Sequence, residues 1–463
     1  MAATGRKTDT WGSRFGFIMA AVGSSVGLGN FWRFPFTAGE NGGAAFIIIY
    51  LFCVVLFGLP VLMAEYGMGR KSGMSAIDGV NSLAKAEGKS GNWVALGWIG
   101  SLAAFFILTF YMVISAWVIA FIPQALNGTF VGFVDEAARL TAEAQSVDSA
   151  AKTVTAGDVS AANFGETIGN RQLIGGLLFG FIVINVIILS NGVKGGIERA
   201  ASILMPAFFV LLVGIVGFAI TTGDSARAAT FLLTPDFSKV TFDTVLEAVG
   251  QAFFSIGVGS CLMVTYGAYL SRETNIPRSA TIIAGADTLV ALIAGFAIFP
   301  IVFAFGADPA SGPSLFFVSL PIAFGQMPFG ELIGPAFFLL ALFAALTSSI
   351  SLMEVGVSWL EDRDGITRPG AAIGVGFVLF MIGMGYVYST EFIDFADNVT
   401  GKVMLPLGGL LVSVFCGWSL SRKTLSTEFG DGRVMNLWRL AARWIAPPAI
   451  AVILVFGIWA WLF

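Results

Sequence analysis

Gly23-Ser24-Ser25-Val26-Gly27-Leu28-Gly29-Asn30-Phe31-Trp32-Arg33-Phe34-Pro35 is the stretch that decides the fold. It sits inside a long apolar run that begins near Arg14. Three glycines in seven residues weaken a helix by about 1 kcal/mol each relative to alanine, and they free the backbone to unwind. Unwound backbone at membrane depth survives only where protein buries it or where it lines a cavity. A second stretch, Ser255-Ile256-Gly257-Val258-Gly259-Ser260, interrupts another apolar run in the same way. Glycines also permit close helix packing. Paired interruptions in corresponding positions, however, point to the binding site of a transporter.

The surrounding composition requires a membrane. The 463 residues are 56% hydrophobic and 12% charged, against about 25% charged in soluble proteins. Apolar runs bounded by charges or turn residues give eleven expected spans, near 14–37, 41–68, 94–127, 172–190, 197–221, 242–270, 278–306, 333–360, 370–389, 395–420 and 443–463. The polar connection from Gly128 to Asn170, with Asp135, Glu136, Glu143, Asp148, Asp158 and Glu166, is expected as an exposed loop outside the membrane, with room for a short helix. Placing the N-terminus in the cytoplasm puts 18 of the 25 basic residues on the inner side. An inner-membrane, multi-pass chain with Phe463 outside follows. Because the two interruptions lie five spans apart, residues 223–421 (spans 6–10) repeat 1–222 (spans 1–5) in opposite topology, and 422–463 add a loop and span 11. Cys53, Cys261 and Cys416 all fall in apolar runs, as buried small residues do.

No histidine is present. Histidine metal sites, Ser-His-Asp hydrolysis and histidine relays are therefore excluded. Gly23-Ser24-Ser25-Val26-Gly27 matches a nucleophile-elbow pattern, but no histidine base is available to serve it. The chain reads as no enzyme, without catalytic residues, and nothing in it points to nucleic acid. A channel is the rival reading. Channels need a continuous pore with rings of charge or carbonyls, whereas a lone intramembrane carboxylate, Asp287, and two single breaks fit an occluded site.

The run from Trp11 through Gly43 resembles the first helix of the neurotransmitter:sodium symporter family, which has the leucine-transporter fold. The likeness continues in Gly250-Gln251-Ala252-Phe253-Phe254-Ser255 and in Leu346-Thr347-Ser348-Ser349. The resemblance implies an all-α, 5+5 inverted-repeat symporter that couples sodium to amino acid uptake by alternating access. Two sodium sites are implied. One would use Asn30, Ser255, the Ser25 carbonyl and Asp287; the other Ala344, Thr347 and Ser348 with the carbonyls of Gly23 and Val26. Ala344, Thr347 and Ser348 lie on one helical face, although such hydroxyls also bond back within their own helix. Asp287 stands where the family usually has an amide. A charged Asp at the bilayer centre costs roughly 2.5–3.5 kcal/mol, so it should face a cavity and hold a cation. Tyr50, Gln251 and Ser255 match the anion-binding set of chloride-dependent relatives, but Asp287 already supplies the negative charge and Ala291 replaces a hydroxyl. Chloride-independent transport is expected, with Asp287 protonated when the empty carrier returns.

The same resemblance places the substrate carboxylate at the amides of Leu28 and Gly29, the Tyr111 hydroxyl and the first sodium ion. Its ammonium would meet the carbonyls of Ser25, Phe254 and Ser255. Walls are implied at Ile107, Tyr111, Phe254, Val258, Ser260, Ser348 and Leu352, with room left by Gly257 and Gly259. Monoamine carriers have an Asp where this chain has Gly27, so the substrate should carry its own carboxylate. A neutral, hydrophobic or aromatic amino acid is the expectation, with another small carboxylated amine as the alternative. Arg33 and Asp397, with Asp394 as a rival, would close the outer gate over a Phe254 lid. Trp11, Tyr269 and Asp362 would form the inner gate; the family's basic residue is replaced by Thr8, so Arg6 or Lys7 would substitute. Glu65 should accept amides from unwound span 6. A monomer in the lipid bilayer satisfies all of this.

Overall fold

The computed structural model describes residues 9–147, 153–306 and 314–462. Among these there are helices and no strands. Among the described residues nine helices are long and apolar enough to cross a bilayer, and the bent pair Arg14–Ser25 and Leu28–Glu40 makes ten. The expected count of eleven is not reached on length and apolarity, because the sixth expected span is two short helices, Phe242–Ile256 and Leu262–Ala268.

Both interruptions are real breaks. Arg14–Ser25 begins at Ser13, whose side chain accepts the Gly16 amide, and it ends where Val26 and Gly27 turn extended. The chain resumes helix at Leu28 and departs at 55°. Phe242–Ile256 stops at Gly257 (φ 72°), and the next helix starts only after Cys261 (φ 56°). Gly259, between them, has φ 88°. A Cβ there would lie 2.3 Å from the Leu405 carbonyl oxygen. Only glycine tolerates both that conformation and that approach.

Two long helices, Gly91–Leu126 (opening with a short tighter turn) and Gly330–Glu361, pack along each other and form the wall against which the breaks rest. The first half of span 1 packs on Gly330–Glu361, on Arg199–Thr222 and on Ile276–Ala304; Leu262–Ala268 packs on Leu59–Ser72. Cys53, Cys261 and Cys416 are buried free thiols.

The polar connection carries two helices, Phe133–Val147 and Ala156–Gly169, rather than one short one. Asp148, like Arg6, Lys7, Thr8 and Phe463, lies outside the described residues. Short helices at Ala76–Ala86, Ser225–Leu233 and Arg422–Phe429 were not expected. The helix of the last span starts at Arg433, ten residues before the expected 443. Arg433, Arg439 and Arg443 suggest a boundary, but the helix runs on through a wider turn at Ala441–Ile445.

Candidate functional site

The two breaks face each other. The Ser25 hydroxyl reaches the Ile256 carbonyl at 3.4 Å, linking the end of one half-helix to the end of the other. Asn30 spans the first break: its Oδ1 accepts the Gly27 amide at 2.9 Å. Its Nδ2 then donates to Asp287 Oδ1 at 2.9 Å and to the Asp287 carbonyl at 3.2 Å. Ser255 Oγ donates to Asp287 Oδ2 at 2.6 Å. Thus Asn30, Ser255 and Asp287 form one cluster, with Ser25 at its edge. The Asp287 carboxylate is fully buried, and among the described residues no basic side chain pairs with it. A buried carboxylate held only by neutral donors is costly unless a cation joins it. Beside it the Tyr50 hydroxyl, both Gln251 amide atoms and the Thr288 hydroxyl are buried without partners.

The second cluster lies on the other side of the first break. Ser348 Oγ approaches the carbonyl oxygens of Gly23 at 3.2 Å and Val26 at 3.3 Å. Thr347 Oγ1 reaches the Ala344 carbonyl at 3.1 Å and the Phe343 carbonyl at 3.0 Å. The Thr347 hydroxyl therefore bonds back to its own helix, as such residues do, whereas that of Ser348 crosses to span 1. Both nonetheless stand beside carbonyls that no helix uses. Several hard oxygens converging on one point suit a small alkali cation.

A cavity of about 50 Å³ lies between the breaks, lined by Ser25, Gly29, Ile107, Tyr111, Phe254, Ser255, Gly257, Ser260, Ser348 and Leu352 among others. Leu262 and Leu405 also line it and were missed in the sequence. Val258 is fully buried and does not line it; Leu28 instead lines a larger vestibule. The Leu28 amide donates to the Tyr111 hydroxyl at 3.1 Å, so the freed amide points where a carboxylate was expected. A Cβ on Gly27 would meet Ser348 Oγ at 2.9 Å and the Tyr111 hydroxyl at 3.0 Å, which leaves little room for a side chain there.

Phe254 lines both this cavity and the vestibule of about 330 Å³ above it. Arg33, Asp394 and Asp397 line the vestibule, but among the described residues no ion pair joins them. The Arg33 guanidinium rests 4.6 Å above the Phe254 ring, with its Nη1 lacking a partner. The outer pair expected from the sequence is thus not made in this conformation.

The opposite end is closed. Trp11 donates from its indole to the Tyr266 carbonyl at 3.2 Å and from its amide to the Tyr269 carbonyl at 3.3 Å. Its ring packs edge-on against Tyr266 and Tyr269. Tyr269 donates its hydroxyl to Glu354 at 2.6 Å, and Glu354 pairs with Arg368 at 2.6 Å. Asp362 accepts the Ser75 amide at 3.2 Å. Glu198 takes the Gly12 amide at 2.6 Å and the Ser13 hydroxyl at 2.7 Å. That carboxylate also favours the positive end of the helix starting at Arg14. Sequence reasoning missed Glu198, Glu354 and Arg368. Glu354 met the criterion that found Asp287: it is a lone carboxylate within an apolar span. Glu65 behaves as expected, accepting the Gly259 amide at 2.6 Å.

Comparison with known proteins bears on this geometry. A model of the sodium:neurotransmitter symporter family matches residues 8–461. An uncharacterized sodium-dependent transporter of Bacillus subtilis, YhdH, is 35% identical over 97% of this chain and 97% of its own. The sodium-dependent nutrient amino acid transporter 1 of Drosophila grimshawi is 25% identical over 96% of this chain and 76% of its own. The crystal structure of MhsT in complex with L-phenylalanine superposes with TM-score 0.85 at 35% identity, covering 97% of this chain and 100% of that one.

Proposed function

The chain belongs to the sodium:neurotransmitter symporter family, and from that premise we propose that it imports a neutral, hydrophobic or aromatic amino acid without chloride. It is a sodium-coupled membrane transporter with the leucine-transporter fold, and not an enzyme. The observation that carries the finer reading is the buried Asp287 carboxylate, tied among the described residues to Asn30 and Ser255 beside two broken helices. A sodium ion there balances the charge and offers its far side to a substrate carboxylate. The second ion belongs with Gly23, Val26, Ala344, Thr347 and Ser348. Aliphatic and aromatic walls at Ile107, Tyr111, Phe254 and Leu352 favour an apolar side chain. The phenylalanine held by MhsT is of that class.

Transport follows by alternating access. Arg33 and Asp397 close over Phe254 once substrate is bound, and the Trp11, Tyr269 and Asp362 end then opens. Residues 1–222 and 223–421 act as the two inverted halves in an inner membrane, with the N-terminus inside and 422–463 as an appended span. Each charge entering down 100 mV releases roughly 2.3 kcal/mol. Two ions thus support about three decades of accumulation.

Purified protein in proteoliposomes, offered a panel of labelled amino acids, tests this. Uphill uptake of hydrophobic or aromatic members is expected with external sodium, at a rate unchanged when gluconate replaces chloride. Uptake abolished by that replacement would remove the chloride-independent reading. Equilibration without accumulation would mean a channel.

A further inference from the structure

A second binding site is suggested at the end of the bundle where spans 10 and 11 meet. Trp418 closes span 10, and its indole donates to the Arg443 carbonyl at 3.2 Å. The Arg443 guanidinium lies 4.1 Å from the Trp418 ring and 5.7 Å from the Trp444 ring. The two indoles meet edge-on at 4.7 Å. Arg439 stands one turn before Arg443 and lies near Arg422. Like charges at this spacing oppose one another. Arg422 has Asp431 at 3.0 Å, but among the described residues neither Arg439 nor Arg443 has a carboxylate partner. Arg443 Nε is buried with no hydrogen-bond acceptor.

Two other buried arginines are closely paired. Arg70 has Glu428 and Arg368 has Glu354. A guanidinium fixed between two rings is pre-organised, and its planar fork matches phosphate. The surrounding surface is apolar: Leu437, Leu440 and Trp444 are 67%, 52% and 58% exposed. Positive charge set in an apolar rim at a membrane boundary fits a phosphate that carries acyl chains.

We propose that Arg439 and Arg443, with Arg422 beside them, hold the phosphate of an anionic glycerophospholipid whose chains lie over Trp444 and Leu440. Zwitterionic lipid, with its own ammonium, neutralises the cluster poorly. Free inorganic phosphate shares the anion but lacks the chains.

Native mass spectrometry of the delipidated full-length chain in detergent, titrated with phosphatidylglycerol or phosphatidylcholine of identical chains, tests the assignment. Phosphatidylglycerol should bind about tenfold tighter or better. Arg439→Gln and Arg443→Gln should each weaken it about fivefold, leaving phosphatidylcholine binding and the melting temperature unchanged. Arg433→Gln, at the exposed start of the same helix, should have no effect, and millimolar inorganic phosphate should not displace the lipid. Equal affinity for the two lipids would overturn the proposal. So would an Arg433→Gln loss matching the other two, which means diffuse surface charge, or displacement by phosphate, which means a free-anion site.

Discussion

Asp287→Ala is expected to lower sodium-driven uptake by more than about 100-fold, beyond the 2.7 kcal/mol that two decades represent. The substitution removes the one buried carboxylate in the Asn30, Ser255 and Asp287 cluster. It also leaves the Ser255 hydroxyl without its acceptor, at about 1–3 kcal/mol for an unsatisfied group, while Asn30 Nδ2 loses one acceptor and keeps the carbonyl of residue 287. Asp287→Asn separates these effects. It keeps the shape and an acceptor oxygen, so the fold should melt no lower than the parent, because an uncompensated buried charge has become neutral. Sodium affinity should fall nonetheless. With the fixed negative charge gone, Tyr50, Gln251 and Thr288 still offer unpartnered donors beside the cluster, and uptake should become stimulated by chloride. Sodium titration of uptake in chloride and in gluconate reads both. Unchanged sodium dependence in Asp287→Ala would detach this carboxylate from ion coupling.

Gly259→Ala should be the most damaging small change to the fold. Its Cβ would fall 2.3 Å from the Leu405 carbonyl and 2.9 Å from the Gly409 amide, at φ 88°. The left-handed backbone alone costs an L-residue roughly 1–2 kcal/mol. The clash with two backbone atoms cannot be relieved by a side-chain rotation, and moving the segment also breaks the bond from the Gly259 amide to Glu65. A total above about 4 kcal/mol is expected. Gly257→Ala is the control: φ is 72°, yet nothing lies within 4 Å of the added Cβ. It should lose only the backbone term. Thermal melting followed by size-exclusion chromatography distinguishes the two. Equal stability of both variants would mean that the second break does not pack on Leu405 and Gly409 as described.

The parts legible in the sequence are those where an apolar run breaks its own rule. Gly27, Gly257 and Gly259 announce the breaks because clustered glycines, recurring in corresponding positions of two apolar runs, free the backbone to unwind. Asp287 stands out because a carboxylate at membrane depth needs a partner. Thr347 and Ser348 declare a face by helical spacing. Contacts between distant segments are not written in this way. Glu198 joins the start of one span to the start of another across 185 residues, and no local pattern foretells it. Arg439 and Arg443 misled the boundary of the last span because charge usually ends a helix at a membrane, whereas here the helix runs on and Arg443 lies against indole rings. Arg33 and Asp397 share a vestibule without pairing, since a gate has two positions and a sequence does not say which is adopted.

The most direct test is equilibrium binding of the transported amino acid to the purified chain, in sodium and then in potassium at equal ionic strength. Binding is expected in sodium and at least about 100-fold weaker in potassium, equivalent to about 2.7 kcal/mol of coupling. The same affinity in both salts would contradict it, because the carboxylate of Asp287 and the open carbonyls of the first break would then have no ion to hold.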